Sequence, residues 1–261
     1  MQKKKIVTVI LTAILFLSAA LIGVANVYRV DSVVLNAGTV SSAARAEAEA
    51  LKKELEEAYA GESSIFAGET VAKEIFEKYP YFRMSGFERA FPNQLVIEAT
   101  EEEEVFAVAQ GENYFVLAGD GTVLGVRSDS ANRVDGSANI LVSGLSASGA
   151  EGEKVRGEHT AELIEICRVM ATSLNGVRSN VKEIKLIPEG TGPRLIFYMR
   201  EGVKISVKNP SVLTAEKASA LTEKYLSLSV EQRLTGGIQV IESPDQTKVL
   251  LDYSPNYLLG V

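Results

Sequence analysis

Among its 261 residues the chain has a single cysteine, Cys167, and a single histidine, His159. One cysteine excludes an internal disulfide, so the fold must be held by its apolar core. One histidine with one distant cysteine excludes a zinc site, which takes three or four His, Cys or carboxylate ligands at set spacing. Positive charge is also short: beyond residue 27 there are 24 Lys and Arg against 34 Asp and Glu, a net of −10. Such a surface repels phosphate, which argues against nucleic acid as a partner and against anionic headgroups. There is no long polar tract either. With 46% hydrophobic and 23% charged residues overall, the region after Val27 reads as ordinary globular sequence, enough for one large or two small domains.

What the chain does have is one long apolar run. Ile6 to Ala25 is uncharged over 20 residues and follows Lys3, Lys4 and Lys5. A bilayer core of about 30 Å needs roughly 20 apolar residues in a helix, which satisfies its own backbone hydrogen bonds in hydrocarbon. The lysines resist translocation and predict a cytoplasmic N-terminus, with everything after Val27 outside. A cleavable signal peptide is the alternative, with small residues Ala19, Ala20 and Gly23 to Ala25 near its end; its apolar core usually runs only about 7–15 residues. Either reading exports the main part of the chain.

Residues 28–35 alternate as a strand ended by Asn36-Ala37-Gly38. Ala44, Ala48, Leu51, Leu55 and Ala58 then recur at helical spacing, and Gly61 stops the helix. A second helix is predicted after Gly68, capped by Thr70, with Val71, Ile75, Phe76 and Tyr79 on one face and Pro80 as its end. A strand around Tyr81 to Arg89, a Pro92-Asn93 turn and a strand at Gln94 to Ala99 complete the region. Three strands with two helices on one face would bury these stripes.

Beyond it, Tyr114 to Leu117 and Val123-Leu124 predict a hairpin turned by Asp120-Gly121. Asn139 to Leu145 reads as a strand, and the Ser/Gly/Ala stretch to Gly152 as a mobile loop. A helix from His159 to Leu174 is capped by Asn175-Gly176. Strands follow at Val181 to Ile187, Leu195 to Met199 and Val203 to Val207, then a helix from Thr214 carrying Ala218, Leu221 and Tyr225. The chain closes with a strand at Gly237 to Ile241, a Ser243-Pro244-Asp245 turn and a strand at Lys248 to Tyr253.

No catalytic constellation stands out. Cys167, between Leu163 and Met170 at helical spacing, reads as a buried small hydrophobe. His159 reads as an exposed first-turn residue. Ser179-Asn180-Val181-Lys182 matches S-x-x-K, but the K-T-G strand and an S-D-N element placed after the serine are absent. Glu101 to Glu104 lack the spacing of a calcium loop and read as a solvated acidic segment. Gly119-Asp120-Gly121 opens no amphipathic helix and is not a dinucleotide fingerprint. Neither a metal nor a cofactor is expected.

Gly61-Glu62-Ser63-Ser64-Ile65-Phe66, Tyr79-Pro80, the R-x-x-P-N-x-L-x-I pattern from Arg89 to Ile97, and Asp120-Gly121-Thr122-Val123-Leu124 together resemble the FtsQ/DivIB family of bacterial cell division proteins. Positions 102–107 depart from it, lacking the family's arginine and proline. The resemblance implies an α+β protein with an N-terminal transmembrane helix, a small POTRA-type β-α-α-β-β domain, and a larger mixed α/β domain with a C-terminal edge strand. The corresponding segments are a cytoplasmic tail 1–5, a transmembrane helix 6–27, a POTRA domain 28–101, a β domain 102–254 and a tail 255–261.

It further implies a non-enzymatic, single-pass scaffold at the division septum that binds FtsL-like and FtsB/DivIC-like partners and influences septal peptidoglycan synthases. An extended segment at a sheet edge offers alternate N–H and C=O groups to a partner strand. By the resemblance, the docking residues are Ile238, Val240, Lys248, Val249, Leu250, Leu251, Asp252 and Tyr253. An anchored cell-wall enzyme and a POTRA-bearing chaperone are the alternatives. The first lacks a reactive constellation, and the second lacks the many alternating strands of a membrane barrel.

Overall fold

The computed structural model describes residues 2–130, 138–190 and 192–256, with side chains from residue 11 onward except those of residues 21, 24 and 25. Helix α1 spans Gln2–Val27. Its described apolar side chains point outward all round, with Leu15, Phe16 and Leu17 consecutive and exposed. A helix apolar on every face has no single stripe to bury against a core. Among the described residues, no helix is long and apolar enough to cross a membrane. The side chains of Lys3, Lys4 and Lys5 and of residues 6–10 within the expected span lie outside the described residues, as does the tail from residue 257.

The chain divides into two compact units. One comprises Met1–Val40 with Ala44–Glu101; the other comprises Ser41–Ala43 with Glu102–Val261. The first contains β1 (Ser32–Asn36), α2 (Arg45–Tyr59), α3 (Glu69–Phe76), β2 (Phe82–Ala90) and β3 (Gln94–Glu101). Its sheet has three strands in the order β1-β3-β2, with β1 parallel and β2 antiparallel to β3. Alternation in β3 turns Leu95 and Ile97 into the core, and i, i+4 spacing does the same for Leu51, Leu55 and Tyr59 in α2. The buried Tyr59 hydroxyl donates to the Gly68 carbonyl at 2.6 Å and accepts from Ala72 N–H at 3.1 Å, tying α2 to the start of α3. Gly68, not Thr70, is the N-cap of α3, and it makes no side-chain bond. The helix ends at Phe76 because the chain tightens into a turn, with Tyr79 N–H on the Phe76 carbonyl, before Pro80 is reached.

The second unit is a nine-stranded sheet in the order β12-β11-β10-β9-β8-β7-β4-β5-β6. Its strands are β4 (Glu104–Gln110), β5 (Asn113–Ala118), β6 (Val123–Arg127), β7 (Ile140–Ser143), β8 (Val181–Ile187), β9 (Arg194–Met199), β10 (Lys204–Lys208), β11 (Gly237–Glu242) and β12 (Val249–Ser254). Helix α4 (Thr160–Leu174) crosses between the parallel neighbours β7 and β8, and α5 (Thr214–Ser227) crosses between the parallel neighbours β10 and β11. They pack on each other, and Leu163, Ile166, Met170, Leu221 and Tyr225 meet the strand residues in one core. A short helix, α6 (Val230–Leu234), precedes β11; Ser229 and Gln232 form its reciprocal capping box.

Three expectations for this unit are corrected. The Ser/Gly/Ala stretch is stitched down: Ser148 and Arg156 exchange two backbone hydrogen bonds at 2.8 Å, and Gly152 N–H donates to the Val123 carbonyl. Glu104 is not solvated; it is 3% exposed, accepts two bonds from the Arg127 guanidinium at 2.9 and 2.7 Å, and takes another from Asn139. Arg178 fixes the same corner through the Glu104 carbonyl and the Glu103 carboxylate. His159 sits in the left-handed region as the N-cap of α4 with a mostly buried side chain, because the tight entry to the helix folds its ring inward.

Candidate functional site

The last hairpin begins with short polar side chains that fold the chain back. Ser243 Oγ bonds Asp245 Oδ1 at 2.5 Å, Thr247 Oγ1 donates to Asp245 Oδ2 at 2.8 Å, and Lys248 N–H donates to Ser243 Oγ at 3.1 Å. Donation from Ser243, then from Thr247, holds the Asp245 carboxyl below its ordinary range. The turn thereby sets one register, pairing Glu242 with Val249, Val240 with Leu251 and Ile238 with Tyr253.

That register determines which groups face outward. Ser243 N–H donates to the Lys248 carbonyl at 2.8 Å, so this pair is of the bonded kind. Alternation along an antiparallel ladder makes Ile241 with Leu250 and Gln239 with Asp252 the next bonded pairs. The main-chain N–H and C=O of Val249, Leu251 and Tyr253 consequently point away from β11. Strand β12 is the terminal strand of the sheet, and among the described residues no strand pairs with its outer side.

The side chains divide just as cleanly. Val249, Leu251 and Tyr253 lie on the face shared with Ile238 and Val240, toward α5, and Val249 and Tyr253 pack partly into the core. Leu250 and Asp252 lie on the opposite face. Leu250 and Leu251 remain 44% and 38% exposed, an unusual pair of consecutive apolar side chains on an edge strand. Lys248 and Asp252 are exposed charges there, which discourages pairing between like edges. Ile238 and Val240 are fully buried, so their side chains support β12 from beneath rather than meet an incoming chain.

A buried ion pair, unforeseen from sequence, fastens this corner. Lys217 of α5 is fully buried; its Nζ donates to the carbonyls of Lys208 and Asn209 at 2.6 and 2.9 Å and to Glu242 Oε2 at 2.7 Å. Asn209 Nδ2 donates to the other Glu242 oxygen at 2.5 Å. Burial by itself would raise the Glu242 pKa, but the bonds from Lys217 and Asn209 overcome it and hold the carboxyl low. The signal lay in the spacing: Lys217 precedes Leu221 and Tyr225 by four and eight positions, on the buried stripe. At the other end of α5, the Tyr225 hydroxyl donates to Glu201 at 2.8 Å, and burial first, then that bond, push its pKa up to about 12.

Cys167 and Ser179 line one cavity with Asp120 and Glu103, whereas His159 and Lys182 do not line it. Cys167 is buried, and burial pushes its thiol far up. Ser179 Oγ donates to the Gly176 carbonyl at 3.1 Å and accepts from Asn180 Nδ2. Among the described residues, no group of three or more His, Cys, Asp or Glu is placed to hold a metal ion.

No family model matches this sequence, and no curated protein matches it. Among solved structures, the chain is similar to the major extracytoplasmic domain of the trans isomer of the bacterial cell division protein DivIB from Geobacillus stearothermophilus, at 18% identity and a TM-score of 0.26, over 46% of this chain and 87% of that one.

Proposed function

We propose that the protein is a membrane-anchored, non-enzymatic scaffold of bacterial cell division whose exported part receives a partner strand along β12. The observation that carries this reading is the outward row of main-chain groups at Val249, Leu251 and Tyr253, unpaired among the described residues and flanked by the exposed Leu250 and Asp252. An extended peptide added there gains main-chain hydrogen bonds for affinity and alternate side-chain contacts for selection. The sequence patterns from Arg89 to Ile97 and from Asp120 to Leu124 support the division context.

In this reading residues 6–27 span the membrane, Lys3 to Lys5 stay in the cytoplasm, and the two compact units lie outside it at the septum. The incoming strands belong to FtsL-like and FtsB/DivIC-like proteins, and the assembly influences septal peptidoglycan synthases without chemistry of its own. Confinement to a plane raises effective concentration, so modest edge pairing suffices.

The test uses the full chain in vesicles with such a partner complex. A photo-crosslinking side chain at Leu250 is expected to capture the partner, whereas one at Val230, exposed on α6, is not. Absence of a Leu250 adduct in a complex that still co-purifies refutes edge pairing. A fluorescent fusion spread evenly over the envelope, with no midcell band, refutes the division role.

A further inference from the structure

The chain has nine phenylalanines, all of them among the described residues, and three are exposed. Phe16 is 74% exposed and lies within α1; the other two, Phe66 at 83% and Phe91 at 61%, lie on two loops of the first unit. Scattered exposed apolar residues need no explanation, but these two loops share one location.

Backbone topology fixes that location. Strands β1 and β3 are parallel with Ser32 opposite Gln94, so both start at the same end of the sheet, the end where α1 hands over to the folded unit. The turn at residues 91–93 feeds β3 at that end, and Asp31 N–H donates to the Asn93 carbonyl at 2.8 Å. The loop after α2 is sewn to the same place: Ser64 N–H donates to the Tyr28 carbonyl at 2.7 Å, and Val30 N–H to the Glu62 carbonyl at 2.8 Å. Ser64 Oγ bonds the Pro92 carbonyl at 2.5 Å, joining one loop to the other. The Tyr28 and Phe91 rings meet edge to face, with centroids 6.0 Å apart. Tyr28 directly follows Val27, the last residue of α1, so its Cα lies about 3.8 Å along the chain from the helix end. Both aromatic tips are therefore held by hydrogen bonds at the exit of the apolar helix. Arg89 stiffens the first loop, its guanidinium donating to the Ala67 carbonyl at 2.7 and 3.1 Å.

We propose that Phe66 and Phe91, with Ile65 beside them, are a second membrane contact that dips into the outer face of the bilayer next to α1. The occupant is a lipid surface because both loops are fastened to Tyr28, the residue that follows α1, one by the Phe91 ring and the other by the Ser64 amide: where α1 leaves hydrocarbon, the headgroup boundary meets whatever surrounds its exit. Tyr28 has the amphipathic ring that favours that boundary, and apolar side chains such as Phe insert about 5–10 Å into it. The acidic composition makes zwitterionic lipid the natural surface, with apolar area rather than charge as the attraction. The contact would restrain how the first unit tilts over the membrane. This inference rests on the membrane span advanced under Proposed function.

The absence of tryptophan makes the test clean. Single-tryptophan variants Leu15→Trp, Phe66→Trp, Phe91→Trp and Val230→Trp of the full chain are reconstituted into phosphatidylcholine vesicles brominated either near the carbonyl end or near the methyl end of the acyl chains. Phe66→Trp and Phe91→Trp are expected to emit to the blue of Val230→Trp and to be quenched about twofold or more by the shallow bromines. Leu15→Trp is expected to respond to the deep bromines. If Leu15→Trp is quenched while Phe66→Trp and Phe91→Trp emit as in water, the second contact is refuted and the anchor stands. If Leu15→Trp is not quenched, the anchor itself fails and the proposal with it. Equal quenching of Val230→Trp points to general adsorption and also refutes the proposal.

Discussion

Lys217 Nζ lies 2.7 Å from Glu242 Oε2, and both groups sit behind the turn that begins the open edge. One belongs to the crossover helix and the other to the strand beneath β12, so the pair joins helix, sheet and edge at one point. Removing one member strands a buried charge, while removing both does not. Lys217→Met is expected to destabilise the second unit by about 3–5 kcal/mol, and Lys217→Met with Glu242→Leu to recover most of that loss. Denaturant unfolding of the full chain in detergent, followed by hydrogen exchange across β11 and β12, measures both.

The same pair sets an acid limit. The folded Glu242 carboxyl titrates below its unfolded value of about 4.3, so its contribution is complete above that pH and is lost as pH falls through the lower folded value. Wild type is therefore expected to hold its greatest advantage over Glu242→Gln above about pH 5, the two converging as pH drops toward 2. An advantage that stays constant down to pH 2 would contradict this assignment.

Proline substitutions distinguish the two sides of β12. At Leu251 the N–H points outward, so Leu251→Pro is expected to keep the β11–β12 ladder while abolishing capture of a partner strand. At Leu250 the N–H points to Ile241, so Leu250→Pro is expected to break the ladder and accelerate hydrogen exchange in β11. If both variants bind the partner as wild type does, main-chain pairing is not the mode of docking.

Much of this molecule was legible because its elements follow their own periods. The alternation in Gln94 to Ala99, the four-residue spacing in α2, and the Asn175-Gly176 stop of α4, where Asn175 takes a positive φ of 53°, all appear where local chemistry puts them. What escaped is what depends on distant partners. Glu104 looks like one acid among four until Arg127 and Asn139, far along the chain, close over it. The bonds that tie Gly152, Glu153 and Val155 to Gly121 and Val123 are likewise non-local, so a Ser/Gly-rich stretch that reads as loose is held. Helix α6 left a Ser229-x-x-Gln232 capping signature that its short length concealed. The edge position of β12 was expected from the family resemblance, but which of its amides face outward depended on the Ser243–Lys248 bond.

Cys167 offers a check on the core around α4. Its side chain is buried, and burial pushes the thiol pKa far above the ordinary cysteine range, so at pH 8 almost no thiolate forms and alkylating reagents cannot reach it. Iodoacetamide is expected to leave the folded chain unmodified and to add one label in denaturant, where the thiol returns to a pKa of about 8.5. Because the thiol lies among Leu163, Ile166 and Met170, the labelling rate at low denaturant reports how often that core opens. Lys217→Met, which loosens α5 against α4, is then expected to speed labelling roughly in proportion to the stability it removes, about tenfold per 1.4 kcal/mol. Prompt labelling of the native wild type would mean that the α4 core is open in solution.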